Sequence, residues 1–243
     1  RDWSSDVCSS DLKEFPDTKF TIIDMVVDAP NVQSVVFKEQ EGSFLVGLLA
    51  AKASKTGKVG FVGGMDIPLI RRFACGYVQG AKYANPRADV LQNMTGTTGA
   101  AWNDPVKGAE LAKAQIDRGA DVVYHAAGGT GVGVLRAAAD AGKLGIGVDS
   151  NQNGMHPGKV LTSMLKRVDN ATIASFQAAK DGTWKAGITV LGLKENGVGW
   201  ALDDNNKALI TADMKAAVDA ATADIASGKI SVHDYMSDSK CPD

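Results

Sequence analysis

From Lys19 onward, short apolar runs alternate with longer stretches in which apolar residues recur every three or four positions. The runs predict strands over residues 20–25, 35–38, 58–62, 89–93, 121–126, 144–149, 160–165, 188–193 and 199–202. The longer stretches predict helices over residues 42–53, 68–83, 105–117, 133–141, 170–180 and 212–226. Alternation of this kind reads as an α/β fold built on parallel strands with crossover helices.

Several boundaries carry their own chemistry. Asp104 before Pro105 is an N-cap followed by proline at the first helical position, and Gly119 closes that helix. Asp169 is expected to cap the next-to-last helix, whose apolar face reads Ile173, Phe176 and Ala179 before Gly182 stops it. In the last helix Met214, Val218, Ala221 and Ile225 form a single apolar stripe, with Gly228 as the C′ residue.

Composition narrows the class without naming a function. The chain has 243 residues, 44% hydrophobic and 22% charged, which is globular and large enough to bury a core without staples. A net charge of −2 argues against nucleic acid as a partner. No apolar run is long enough to span a bilayer. Residues 1–12 (RDWSSDVCSSDL) are Ser/Asp-rich and unpatterned, and read as a non-native or disordered segment similar to a translated sequencing adapter. On that expectation the segment stands in place of the natural N-terminus and any export signal. Of the cysteines beyond it, Cys75 and Cys241 form either a disulfide or two separate buried thiols.

Catalytic signals are sparse. His125, His156 and His233 are scattered with no partner at nucleophile or ligand spacing, so no enzyme activity is expected. His125, inside an apolar strand, reads as a hydrogen-bonded core residue. The stretch Gly128-Gly129-Thr130-Gly131-Val132-Gly133 follows a strand and opens a helix, and Asp149 ends the next strand. This approaches a dinucleotide fingerprint but places Val134 where its third glycine belongs, so no nicotinamide or other cofactor is expected. The general rule survives: ligands of open α/β sheets sit beyond the carboxyl ends of strands, where Gly128, Gly129 and Asp149 lie. Trp102-Asn103-Asp104 either presents a ring for stacking with polar edges or packs locally and caps. Lys166 by itself reads as a surface lysine.

The ordered series of stretches resembles one family. EGSFLVGLLAAKASKTGKVGFVGG (residues 41–64), AWNDPVKGAELA (101–112), GADVVYHAAGGTGVGV (119–134), GVDSNQ (147–152) and TSMLKRVD (162–169) are similar to the basic membrane lipoproteins, ABC-transporter solute-binding proteins resembling purine-nucleoside receptors. The resemblance covers roughly residues 13–243. It implies a type I periplasmic-binding fold of two Rossmann-like lobes joined by a hinge, lobe one over residues 13–56 and 163–205 and lobe two over 57–162 and 206–243.

The same resemblance implies a small-molecule, nucleoside-like ligand and an ABC permease as partners, in the periplasm or at the outer face of the cytoplasmic membrane. It gives ring stacking to Trp102, where relatives usually hold Phe, and hydroxyl recognition to Asp149 and Lys166; Asn103, Asp104, Gly128 and Gly129 complete the expected site. Relatives commonly carry Asp where this chain has Asn151. The family's first strand would precede Lys13, so this polypeptide is expected to bind weakly or not at all, though a chain that carries that strand binds. A sugar or riboflavin ligand, a nucleotide-dependent Rossmann-type enzyme and a transcriptional effector domain are the rival readings.

Overall fold

The alternating pattern folds into two sheets. The computed structural model describes residues 12–242, so the expectation for residues 1–12 lies, but for Leu12, outside the described residues. Strands β1 (Phe20–Ile23), β2 (Val32–Phe37) and β8 (Gly187–Leu191) form a parallel three-stranded sheet in the order β1-β2-β8. The larger sheet holds β3 (Lys58–Met65), β4 (Asp89–Gly96), β5 (Val122–Ala126), β6 (Leu144–Asp149), β7 (Val160–Lys166) and β9 (Val198–Trp200). Its order is β4-β3-β5-β6-β7-β9, parallel throughout except at β7–β9. A parallel sheet is covered on both faces, which is why β5 is buried along its whole length.

The helices follow from their faces. α1 (Glu39–Ala53) is buried from Glu39 through Ala51, the behaviour of a helix that is apolar nearly all round. It packs on α2 (Pro68–Ala84) so closely that a Cβ on Gly80 would lie 1.9 Å from the Phe44 carbonyl oxygen. α3 (Pro105–Asp117) and α4 (Gly131–Asp140) cover the opposite face with Val62, Val123 and Val134. α6 (Ala212–Ala226) buries its predicted stripe Met214, Val218, Ala221 and Ile225, and Gly228 follows with a φ of 79°.

α5 (Val168–Lys180) departs from expectation twice. Its N-cap position is Arg167, so Asp169 stands inside the first turn and caps nothing. Its apolar stripe faces solvent: Ile173 is 66% and Phe176 72% exposed, and only Ala171 is buried. A 3.6-residue period marks a face, but burial needs an opposing layer, and none among the described residues covers this one.

The backbone passes between the two sheet units three times: from β2 into α1, from β7 into α5, and from β8 to β9. The crossings are joined by hydrogen bonds, Lys38 N to Leu191 O at 3.0 Å and Arg167 N to Gly197 O at 2.8 Å. Residue 163, the expected lobe boundary, falls inside β7. α1, which the sequence division grouped with residues 163–205, lies in the core around the six-stranded sheet because its apolar circumference needs α2 and that sheet to cover it. Cys75 on α2 is bonded to Cys241, with Cα atoms 5.5 Å apart, an ordinary disulfide separation.

Candidate ligand site

The carboxyl ends of β3, β5, β6 and β7 line up along one edge of the large sheet, and the singled-out residues stand there in two adjoining groups. The first surrounds Trp102, which ends a single 3-10 turn (Gly99–Trp102) after β4. Its indole packs against the end of β3, where a Cβ built on Gly64 would meet the ring carbon Cζ3 at 2.3 Å. The turn Gly128–Thr130 after β5 lies beside the ring, a Cβ built on Gly128 standing 3.7 Å from Trp102 Cε3, with Gly128 in the left-handed region at φ 54°. Thr130 Oγ1 clamps the two loops, accepting from Asp104 N at 2.7 Å and donating to Ala101 O at 2.8 Å. Asp104 Oδ1 accepts from Lys107 N at 2.9 Å, the expected N-cap of α3. The capping and the ring placement thus coexist: Asp104 fixes the loop from which Trp102 and the exposed Asn103 project.

The second group lies on β6 and β7, where Asp149 pairs in register with Leu165, one residue before Lys166. A cavity of about 450 Å³ opens here, lined by Asp149, Ser150, Asn151, Lys166 and Arg167 among others. Asp149 sits at φ 63°, a conformation costly for a residue with a side chain and typical of functional strand ends. Asp24, at the end of β1 in the small unit, has the same strained backbone at φ 66°. Lys166 joins the two units. Its Nζ is 2.5 Å from Asp24 Oδ1 and 3.0 Å from Glu39 Oε1, and 5.1 Å from the centre of the Phe37 ring. With Lys166 only 7% exposed, the surface-lysine reading of the isolated sequence does not hold.

Three carboxylates, Asp24, Glu39 and Asp149, act on this lysine, and Glu39 is shared with Arg72 Nη1 at 2.9 Å. Burial works to lower the Lys166 pKa, but Glu39, Asp24 and Asp149 outweigh it and the net shift is upward, so the amine stays charged. Asp149 is raised, first by loss of solvation and then by Asp24 and Glu39, with Lys166 opposing. Its side chain still meets solvent at the cavity mouth. Among the described residues nothing donates a side-chain hydrogen bond to it, which leaves its oxygens free to accept.

Two further residues settle simply. His125 is fully buried, its Nε2 3.0 Å from Gln152 Oε1, and burial pushes its pKa down to about 4; it is a neutral core residue as expected. Asn151 donates to Asp203 Oδ2 at 2.6 Å, so a carboxylate at this position would face another carboxylate. Sequence reasoning passed over Asp24, Glu39 and Thr130. Glu39 looks like an ordinary acidic residue at a helix start, and Asp24 like a loop residue; only the fold brings them to Lys166. Among the described residues no group of three His, Cys, Asp or Glu side chains is arranged to hold a metal ion, and no helix is long and apolar enough to cross a membrane.

The family description "ABC transporter substrate-binding protein PnrA-like" (Bmp) matches residues 4–235. The chain belongs to this family. The match begins inside the segment that the sequence pattern set apart. The ABC transporter nucleoside-binding protein BmpA of Lactococcus lactis is 37% identical over 93% of this chain and 68% of its own length. Among solved structures, a solute-binding protein of an ABC transporter system from Aeropyrum pernix superposes with a TM-score of 0.81 at 29% identity, covering 90% of this chain and 72% of that one. A transcriptional activator of the comK gene from Bacillus halodurans gives a TM-score of 0.80 at 22% identity over 98% of this chain and 77% of that one, a likeness of fold. The Bmp chain is therefore a periplasmic-binding-protein-like α/β fold, the substrate-binding class of ABC transporters, whose members pair with a small molecule and a transporter.

Proposed function

We propose that the chain captures a neutral nucleoside between its two sheet units, outside the cytoplasmic membrane, and presents it to an ABC permease, with no chemistry on the ligand. The observation that carries this reading is Asp149. It is a strained, partly desolvated carboxylate at a strand end, with open acceptor capacity beside a lysine already neutralised by Asp24 and Glu39. Such a group suits ligand hydroxyls, each hydrogen bond to a charged acceptor contributing about 1.5–3 kcal/mol. Trp102, at the end of β3 two strands from β6, supplies a face for a base, about 0.5–1.5 kcal/mol beyond the buried area. Asp149, an open acceptor, suits a hydroxyl and would repel a phosphate, so a nucleoside fits better than a nucleotide. The nucleoside-binding name of the Lactococcus lactis relative supports the same class. On this reading the lobes follow the sheets, the small unit being β1, β2, β8 and α5, and the three crossings act as the hinge on which ligand closes them.

A thermal-shift screen against inosine, guanosine, adenosine, their 5′-monophosphates, ribose, riboflavin and NAD tests it. A rise with nucleosides, absent with the monophosphates and lost in Asp149→Ala, is the expected result. A response to riboflavin or ribose with none to nucleosides would keep the fold and overturn the ligand. A shift with NAD would instead favour a nucleotide-dependent protein.

A further inference from the structure

The chain beyond α6 ends in a strap, residues 232–241, that packs the half-buried Val232 on the core and is fastened three times. Its short helix α7 (Tyr235–Asp238) has no buried residue. The fastenings all come from one face of α2, at Arg72, Cys75 and Gln79, spaced i, i+3 and i+7. Arg72 grips Asp234 with two parallel bonds of 2.8 Å, Cys75 is bonded to Cys241, and Gln79 exchanges two hydrogen bonds with the backbone of His233 at 2.8 and 3.0 Å.

The other end of Arg72 shows what else they hold. Its Nη1 donates to Phe37 O and to Glu39 Oε2, both at 2.9 Å, at the first crossing between the units. Glu39 is 1% exposed, and its remaining oxygen Oε1 faces Lys166. The charges thus run in a line from Asp234 through Arg72 and Glu39 to Lys166, and on to Asp24 and Asp149.

We propose that Arg72 is a positioning residue for the ligand-site Lys166, and that the disulfide-closed strap sets Arg72 through Asp234. This rests on the reading of Lys166 and Asp149 as ligand contacts. Asp234 holds one edge of the guanidinium, so Arg72 offers Glu39 a single N–H and leaves Oε1 to Lys166. Without Asp234 the whole fork turns onto the buried Glu39 carboxylate. Lys166, still held by Asp24, is then released from Glu39 toward Asp149, where it occupies the acceptor that the ligand needs. Opening the disulfide frees the strap and has the same consequence, which makes ligand affinity sensitive to thiol reductants.

The test uses the full chain as Asp234→Asn and as the double variant Cys75→Ser, Cys241→Ser, with circular dichroism to confirm folding. Inosine affinity is measured by calorimetry, alone and in a Lys166→Gln background. The 15Nζ signal of Lys166 is followed by NMR without ligand. Each variant is expected to weaken inosine binding by about fivefold or more, the lower end of ordinary coupling between sites. Each should also move the Lys166 signal and add nothing once Lys166 is replaced. Equal losses with and without Lys166 would show a merely structural strap and overturn the proposal, as would an unmoved Lys166 signal. A moved signal in a protein that does not bind inosine would keep the relay and reject the nucleoside reading.

Discussion

At the scale of single residues, two positions carry sharp expectations. Gly64 is the floor beneath Trp102, and a methyl there meets the rigid indole at 2.3 Å, so Gly64→Ala must push the ring out. Nucleoside affinity is expected to fall about tenfold, or 1.4 kcal/mol, with a changed near-ultraviolet circular dichroism spectrum and little change in far-ultraviolet signal. His125 binds no proton in the folded state until about pH 4, whereas the unfolded chain takes one up near 6.5, the ordinary histidine value. The unfolded state therefore holds more protons across that window, and stability falls as pH drops through it, by up to about 3 kcal/mol. Urea titrations at pH 7 and pH 4.5 should show a smaller pH-dependent loss in His125→Gln than in the parent; equal losses would assign the acid sensitivity elsewhere. Single residues were also where sequence reading was weakest. His125 and Asp104 could be judged from their neighbours in the chain, a strand and a proline. Lys166 could not, because its partners Asp24 and Glu39 lie more than a hundred residues away and give no local pattern.

At the scale of elements, spacing read well wherever a layer existed to meet it. The α6 stripe is buried in full, and Ile225→Ala is expected to cost about 2–5 kcal/mol in chemical denaturation. The equally periodic stripe on α5 is open to water, so Phe176→Ser should stay within about 0.5 kcal/mol of the parent. A large loss at Phe176 would mean that another surface covers that helix in solution. Periodicity reports which residues share a face, while burial is decided by what stands opposite. The same limit explains α1: its start was read three residues late because Glu39, Gln40 and Glu41 look like solvent-facing residues and are in fact buried. Strands of the large sheet, apolar on both faces, were legible nearly to the residue at β6, whereas β2 was read short because Gln33 and Ser34 interrupt its apolar run.

At the scale of the molecule, the disulfide joins positions 166 residues apart and ties the chain's end to the middle of its larger unit. Chain-entropy arguments put the stabilisation from closing so long a loop at up to about 5 kcal/mol. Replacing both cysteines by serine should lower the melting temperature, and adding reductant should reproduce the shift in the parent but not in the variant. Fold class and the strand-end placement of the candidate residues were open to inspection in the sequence; the division into units was not, since it depends on which strand finds which neighbour. The three crossings also impose an order on synthesis. β3 through β7 emerge from the ribosome as one uninterrupted stretch and can pair as they appear. β2 leaves far earlier but must wait about 150 residues for β8, its partner in the small sheet. For that interval the growing chain carries a bare β2 edge, and the smaller unit, though it starts first, is completed among the last.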